Sequence, residues 1–139
     1  MIRGFFKGDA GYINVHIISS SIGIDETVEF LIDTGASRTT LLDKDAIFLD
    51  LDYDDLKKHS QNVSGIGGSV ETFIIEDSTL ILGSEEMHIP IFVLRHDLEN
   101  LNKEERIKIL RMPSLLGRDV INTFRLIFDK EQDEIIFED

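Results

Sequence analysis

Residues 12–18 and 27–32 alternate apolar and polar side chains with a period of two. Ile13, Val15 and Ile17 fall on one face of the first run, with Asn14 and His16 on the other. Val28, Phe30 and Ile32 share a face of the second. That period fits a pleated strand buried on one side and does not fit a helix. A chain whose strongest patterns are of this kind must bury a sheet face, so strands set the fold. Residues 39–42, 71–76, 79–82 and 87–94 read as further strands, the last two joined by a turn at Gly83-Ser84-Glu85-Glu86. Pro90 has no amide to donate, which places 87–94 at a sheet edge or on a bulge. Residues 124–128 and 134–137 flank a polar turn and read as a C-terminal hairpin.

Helices are few. Residues 44–58 carry acids early and lysines late, as a helix dipole favours, with a break expected near Asp50. Residues 100–112 form a better helix, capped by Asn100 or Asn102 and stopped by Pro113. A short helix is expected after Gly117, over 118–122. With no repeat, low-complexity tract or linker, residues 1–139 read as a single mostly-β domain with a few short helices; 139 residues suit one core.

Charge and composition narrow the function. The 27 acids against 14 bases give a net charge of −13, a surface that repels phosphate backbones, so nucleic acid is not an expected partner. No apolar run is long enough to span a bilayer, and the N-terminus lacks the apolar core of a signal peptide, so neither a membrane nor export is expected. The cytoplasm is the simplest location. Zero cysteines exclude disulfides, thiolate zinc sites and a cysteine nucleophile. His16, His59, His88 and His96 show no ligand spacing. Residues 50–56 begin like a calcium loop, but Asp55 stands where the glycine is needed and Gln61 where the closing glutamate is needed. No metal and no cofactor is expected. Ser19, Ser20 and Ser21 lack the setting of a catalytic serine.

Three stretches could carry chemistry. In the first, Phe30, Leu31 and Ile32 run straight into Asp33, followed by Thr34, Gly35, Ala36 and Ser37. Asp-Thr-Gly alone is what many turns use. Here the acid falls at the end of a buried strand, where a carboxylate is costly unless hydrogen-bonded or paired. Gly35 lets backbone approach and donate to it, and Thr34 offers a hydroxyl. The second stretch, 63–71, sets Gly65, Gly67 and Gly68 around Ile66. It reads as a hairpin tip, or as a cover over a cleft hinged by glycine with an apolar tip. The third runs Ser114, Leu115, Leu116, Gly117, Arg118, Asp119. By itself it is a strand meeting a helix, with Asp119 serving the helix N-terminus.

Taken in this order, an Asp-Thr-Gly-Ala-Ser loop, a Gly-Ile-Gly-Gly tip and a Leu-Leu-Gly-Arg-Asp segment resemble the retropepsins, the single-lobe aspartic proteases of retroviruses and their cellular relatives. The resemblance spans residues 13–137. It implies a single-lobe acid-protease β-barrel and a homodimer in which each chain gives half an active site. Asp33 of each copy would form the catalytic dyad. Thr34 would join the two loops near the axis, Gly35 would let the substrate backbone pass close, and Ala36 would belong to the same catalytic loop. Gly65, Ile66, Gly67 and Gly68 would form the flap tip. Leu115, Leu116 and Gly117 would pack beside the Asp33 loop, and Arg118 would brace it. The implied reaction is endoproteolysis of a peptide or unfolded protein. The alternative is a retropepsin-like dimerisation or peptide-binding module without turnover.

Two departures from the family pattern matter. Ser37 stands where retroviral members often carry an acid that meets the arginine matching Arg118, so Arg118 needs another partner. Ala36 replaces a residue that is serine or threonine in pepsin-like members. One hydrogen bond fewer to the charged dyad favours activity at milder acidity than a pepsin shows. Residues 95–112 read as a helical insertion, a cover for the dimer's flank or a partner site.

Overall fold

The two alternating runs form the longest antiparallel pair of the fold. In the computed structural model, which describes residues 1–59, 63–65 and 68–139 (backbone alone over 63–65 and 68–69), they are β2 (Ala10–Ser19) and β3 (Ile24–Ile32). β1 (Ile2–Lys7) precedes them. Ile13 lies opposite Phe30 and Val15 opposite Val28. All four are buried, as the alternation requires.

The chain continues through β4 (Thr40–Leu41), α1 (Asp43–Phe48), β5 (Lys57–Lys58), β6 (Val63–Gly65) and β7 (Gly68–Ile75). Then come β8 (Thr79–Leu82), β9 (Glu85–His88), β10 (Ile91–His96) and α2 (Lys103–Leu110). It ends with β11 (Ser114–Leu116), α3 (Arg118–Ile121), β12 (Arg125–Asp129) and β13 (Glu134–Glu138). The strand order is β12-β13-β1-β2-β3-β11-β4-β10-β7-β5, with β6 on β7 and the β8–β9 hairpin on β2. Among the described residues this is a mostly-β, single-lobe fold with three short helices. Among the described residues hydrogen bonds do not close the sheet into a barrel. One apolar cluster draws on strands from the whole path, including Phe30, Leu41, Leu80, Ile91, Leu116 and Phe137.

Several expectations change in detail. Residues 87–94 are not one edge strand. β9 ends at His88 and β10 begins at Ile91, so Pro90 sits between strands and owes no ladder bond. β10 is interior, with Phe92 paired to Thr40 of β4 on one side and Ile74 of β7 on the other. The 44–58 helix stops at Phe48, and Asp50 adopts φ of 53°. Its second half is one 3-10 turn, Tyr53–Asp55, in which the Asp52 carboxylate accepts the Asp54 amide. Lys57 and Lys58 belong to a strand. Their ammonium groups pair with Glu76, just past the end of β7, and with Glu71 of β7 rather than with a helix end.

α2 is capped by Asn102, whose side chain accepts from the Glu105 amide while Glu105 accepts the Asn102 amide in return. Asn100 lies in a separate 3-10 turn, Leu98–Asn100. Buried Ile109 ties α2 down, and α2 touches α1. The terminal segments pair within the chain. β1 runs between β13 and β2, with Ile2 opposite Phe137 and Phe5 opposite Tyr12. β1 shows no clear period in the sequence, because Gly4 and two adjacent phenylalanines blur it. Among the described residues no helix is long and apolar enough to cross a membrane.

Candidate active site

Asp33 emerges where β3 ends. β3 and β11 run parallel, with Leu31 beside Leu115 and Ile32 beside Leu116. The Asp33 amide continues that ladder, donating to the Leu116 carbonyl at 3.0 Å. The strand therefore fixes the Asp33 backbone, and the chain turns at once: the Ala36 amide donates to the Asp33 carbonyl at 3.1 Å. Within the turn the Gly35 amide donates to Asp33 Oδ1 at 2.9 Å. A Cβ on residue 35 would lie 3.2 Å from that oxygen, so glycine leaves the carboxylate room. Asp33 is half-buried, while Thr34 and Gly35 are exposed.

The Leu-Leu-Gly-Arg segment holds the far side of this loop. Leu116 is fully buried and Leu115 pairs with Thr40 of β4. The Arg118 amide donates to the Ala36 carbonyl at 2.8 Å, and Arg118 Nη1 donates to the Thr34 carbonyl at 3.0 Å. Arg118 thus reaches the loop through a backbone oxygen, not through the acid that Ser37 replaces. Asp33, Thr34, Gly35, Ala36, Leu115, Leu116, Gly117 and Arg118 are brought into one construction of two loops and two parallel strands.

Two residues of this construction are not marked as site residues by the sequence. Asp119 accepts the Thr39 amide on both carboxylate oxygens at 3.0 Å, and the Thr39 hydroxyl at 2.7 Å. Thr39 Oγ1 in turn accepts the Gly117 amide at 3.1 Å. Asp119 also takes the Val120 amide, so its expected service to the helix start is one bond among several. Their one signal is position: Thr39 closes the Asp33 loop and Asp119 follows Arg118.

The glycine-rich hairpin is present as β6 and β7, antiparallel, with Gly65 opposite Gly68. Ile66 and Gly67 lie outside the described residues. Further along, β7 borders a cleft of about 440 Å³ beside the Asp33 loop. Ala36, Phe92 and Leu94 give it apolar lining; Ser37, Arg38, Thr40, His59 and Thr72 line it with polar groups. His59 is held by its amide, which donates to the Thr72 carbonyl at 2.8 Å, and its ring lies 5.6 Å from that of Phe92. No group of three or more potential metal ligands occurs among the described residues.

A single β lobe that presents one Asp-Thr-Gly loop on a parallel strand pair is the arrangement of a retropepsin-like aspartic protease. Residues 20–123 match the family described as "gag-polyprotein putative aspartyl protease", and the chain belongs to that family. Among solved structures it is similar to a retropepsin-like aspartic protease from Rickettsia conorii, with a TM-score of 0.61 and 23% identity over 97% of this chain and 95% of that one. It is also similar to the EIAV protease complexed with the inhibitor HBY-793, with a TM-score of 0.51 and 21% identity over 81% of this chain and 85% of that one. At these identities the likeness speaks to the fold. No curated protein sequence matches the chain.

Proposed function

We propose that this chain is a homodimeric aspartic endopeptidase in which Asp33 from each of two copies forms the catalytic dyad. The observation that carries this reading is the setting of Asp33: a half-buried carboxylate on a rigid strand end, hydrogen-bonded by Gly35, beside a cleft with apolar and polar lining. The chain has one Asp-Thr-Gly, so the second acid must come from a second copy, which two-fold symmetry supplies. The exposure of Thr34 and Gly35 suits residues that meet a partner loop and a substrate.

Two carboxylates a few ångströms apart do not both ionise cheaply and share one proton. The ionised one takes a proton from a water held between them, and the protonated one donates to the amide oxygen. The oxygen of that water bonds to the carbonyl carbon and gives a gem-diol. Its collapse breaks the C–N bond as the nitrogen takes a proton, and the dyad returns to its starting state. Gly35 and Ala36 border the substrate backbone, and the hairpin carrying Gly65, Ile66, Gly67 and Gly68 acts as the flap. Leu115, Leu116, Gly117 and Arg118 hold the Asp33 loop in place.

The test is cleavage of an unfolded protein from acidic to neutral pH by the native chain and by Asp33→Asn, with the mass of each in solution measured alongside. Cleavage by a native dimer alone supports the reading. A dimer that binds peptide and cuts nothing at any pH would replace it with a binding module.

A further inference from the structure

The cleft beside the Asp33 loop is charged against the trend of the molecule. The chain carries 27 acids to 14 bases, yet the ionisable groups lining this cleft are Arg38 and His59, with no acid among the described lining residues. Arg38 is exposed, and its guanidinium makes no ion pair or hydrogen bond among the described residues. That contrasts with Arg118, whose guanidinium is engaged on the Thr34 carbonyl. The Arg38 backbone is fixed, packed against Gly117 and bonded through its carbonyl to the Thr40 hydroxyl at 3.0 Å. A planar cation on a rigid base therefore stands at a cleft whose remaining lining includes Ala36, Phe92 and Leu94.

We propose that Arg38 is a specificity-determining residue that selects substrates carrying a glutamate at the position seated in this cleft. The two methylenes of the side chain cover Phe92 and Leu94, and the carboxylate takes two parallel N–H bonds from the guanidinium. The repulsion of acidic peptides by the rest of the surface is screened by salt within about 8 Å, whereas the pair under a bound peptide is partly desolvated and persists. This inference rests on the cleft being the substrate groove of the proposed peptidase.

The test separates binding from turnover by using the full-length Asp33→Asn chain as the binder. Extended peptides that differ only by Glu, Gln or Lys at one position, walked along the peptide, are titrated against it. At the position seated in the cleft, and at its counterpart in the symmetry-related cleft of the second copy, Glu is expected to bind about tenfold tighter than Gln, with Lys weakest. Arg38→Gln is expected to erase the difference and Arg38→Glu to reverse it toward Lys, which loss of folding does not do. Equal binding of all three peptides at every position would overturn the inference and leave Asp33-dependent cleavage standing. A folded dimer that binds none of them would overturn it as well. If Arg38→Gln leaves the preference intact and splits the dimer, the guanidinium serves the contact between copies and the inference falls. A Glu preference without any cleavage by the native chain would uphold it and remove the peptidase reading alone.

Discussion

Gly117 lies so close to the Arg38 backbone that a Cβ on it would stand 2.5 Å from the Arg38 carbonyl carbon and 2.7 Å from the carbonyl oxygen. Its φ of −95° is open to any residue, so space and not backbone freedom demands glycine. Gly117→Ala must push the Asp33 loop and β11 apart, at a cost of about 1–3 kcal/mol. The displacement falls on the strand pair that sets Asp33. Peptide cleavage is therefore expected to drop further than the unfolded fraction explains. Urea unfolding and cleavage rates on the same preparation check this; a variant of native stability and native activity would show that the two loops slide apart freely.

Asp119 joins α3 to the end of the Asp33 loop through buried Thr39. Asp119→Ala strips the partners from a buried amide and a buried hydroxyl, and is expected to destabilise by about 2–3 kcal/mol. Thr39→Val removes the hydroxyl and orphans the Gly117 amide, while the amide of residue 39 keeps Asp119. Its cost is expected to be the smaller of the two. Denaturant midpoints of both single variants and the double variant measure the coupling, and strict additivity would mean that the clasp does not act as a unit.

The parts of this fold legible in the sequence are those with a local cause. β2 and β3 follow from their alternation. The existence of α2 follows from an asparagine at its start, Asn102 being one of two candidates, and its end from Pro113 just beyond. The Asp33 loop is legible because an acid between apolar runs is rare without a reason. What is not legible depends on distant chain. Lys57 and Lys58 look like a helix C-terminus until Glu71 of β7 and Glu76, one residue past its end, arrive beside them. Residues 87–94 look like an edge strand until β4 and β7 flank the part beyond Pro90. Asp119 shows its role only when Thr39, far earlier in the chain, is folded against it.

Asp43 and His96 form a second buried polar contact, away from Asp33. Asp43 Oδ2 accepts the His96 amide at 3.0 Å, and Oδ1 lies 2.5 Å from His96 Nδ1, with both side chains almost fully enclosed. The pair ties the start of α1 to the end of β10. Asp43→Ala leaves an amide and a ring nitrogen without partners in the interior, and is expected to cost about 3 kcal/mol. Asp43→Asn keeps the volume and one acceptor and is expected to cost less. Thermal melts of the two variants rank them; equal melting of Asp43→Ala and the native chain would show that water replaces the carboxylate at no cost.

Asp77 gives the acid limb of the stability profile a specific contributor. The Ser19 hydroxyl donates to its Oδ1 at 2.6 Å and the Ser21 amide to its Oδ2 at 3.2 Å. These bonds, that of Ser19 foremost, hold the Asp77 carboxyl below its ordinary 3.8. A carboxyl lowered in the folded state binds its proton more weakly there than in the unfolded chain. Its stabilisation is therefore present above the ordinary value and is lost as pH falls through the lowered one. Asp77 is exposed, so solvent screens the effect and keeps it modest. Asp77→Asn is expected to melt slightly below the native chain at neutral pH, with the gap narrowing in strong acid as the native carboxylate protonates. Ser19→Ala is expected to move the Asp77 titration back toward its ordinary value, read from its side-chain NMR shift. A gap between Asp77→Asn and native that stays constant from neutral to strongly acidic pH would show that the ionised carboxylate is not the stabilising form.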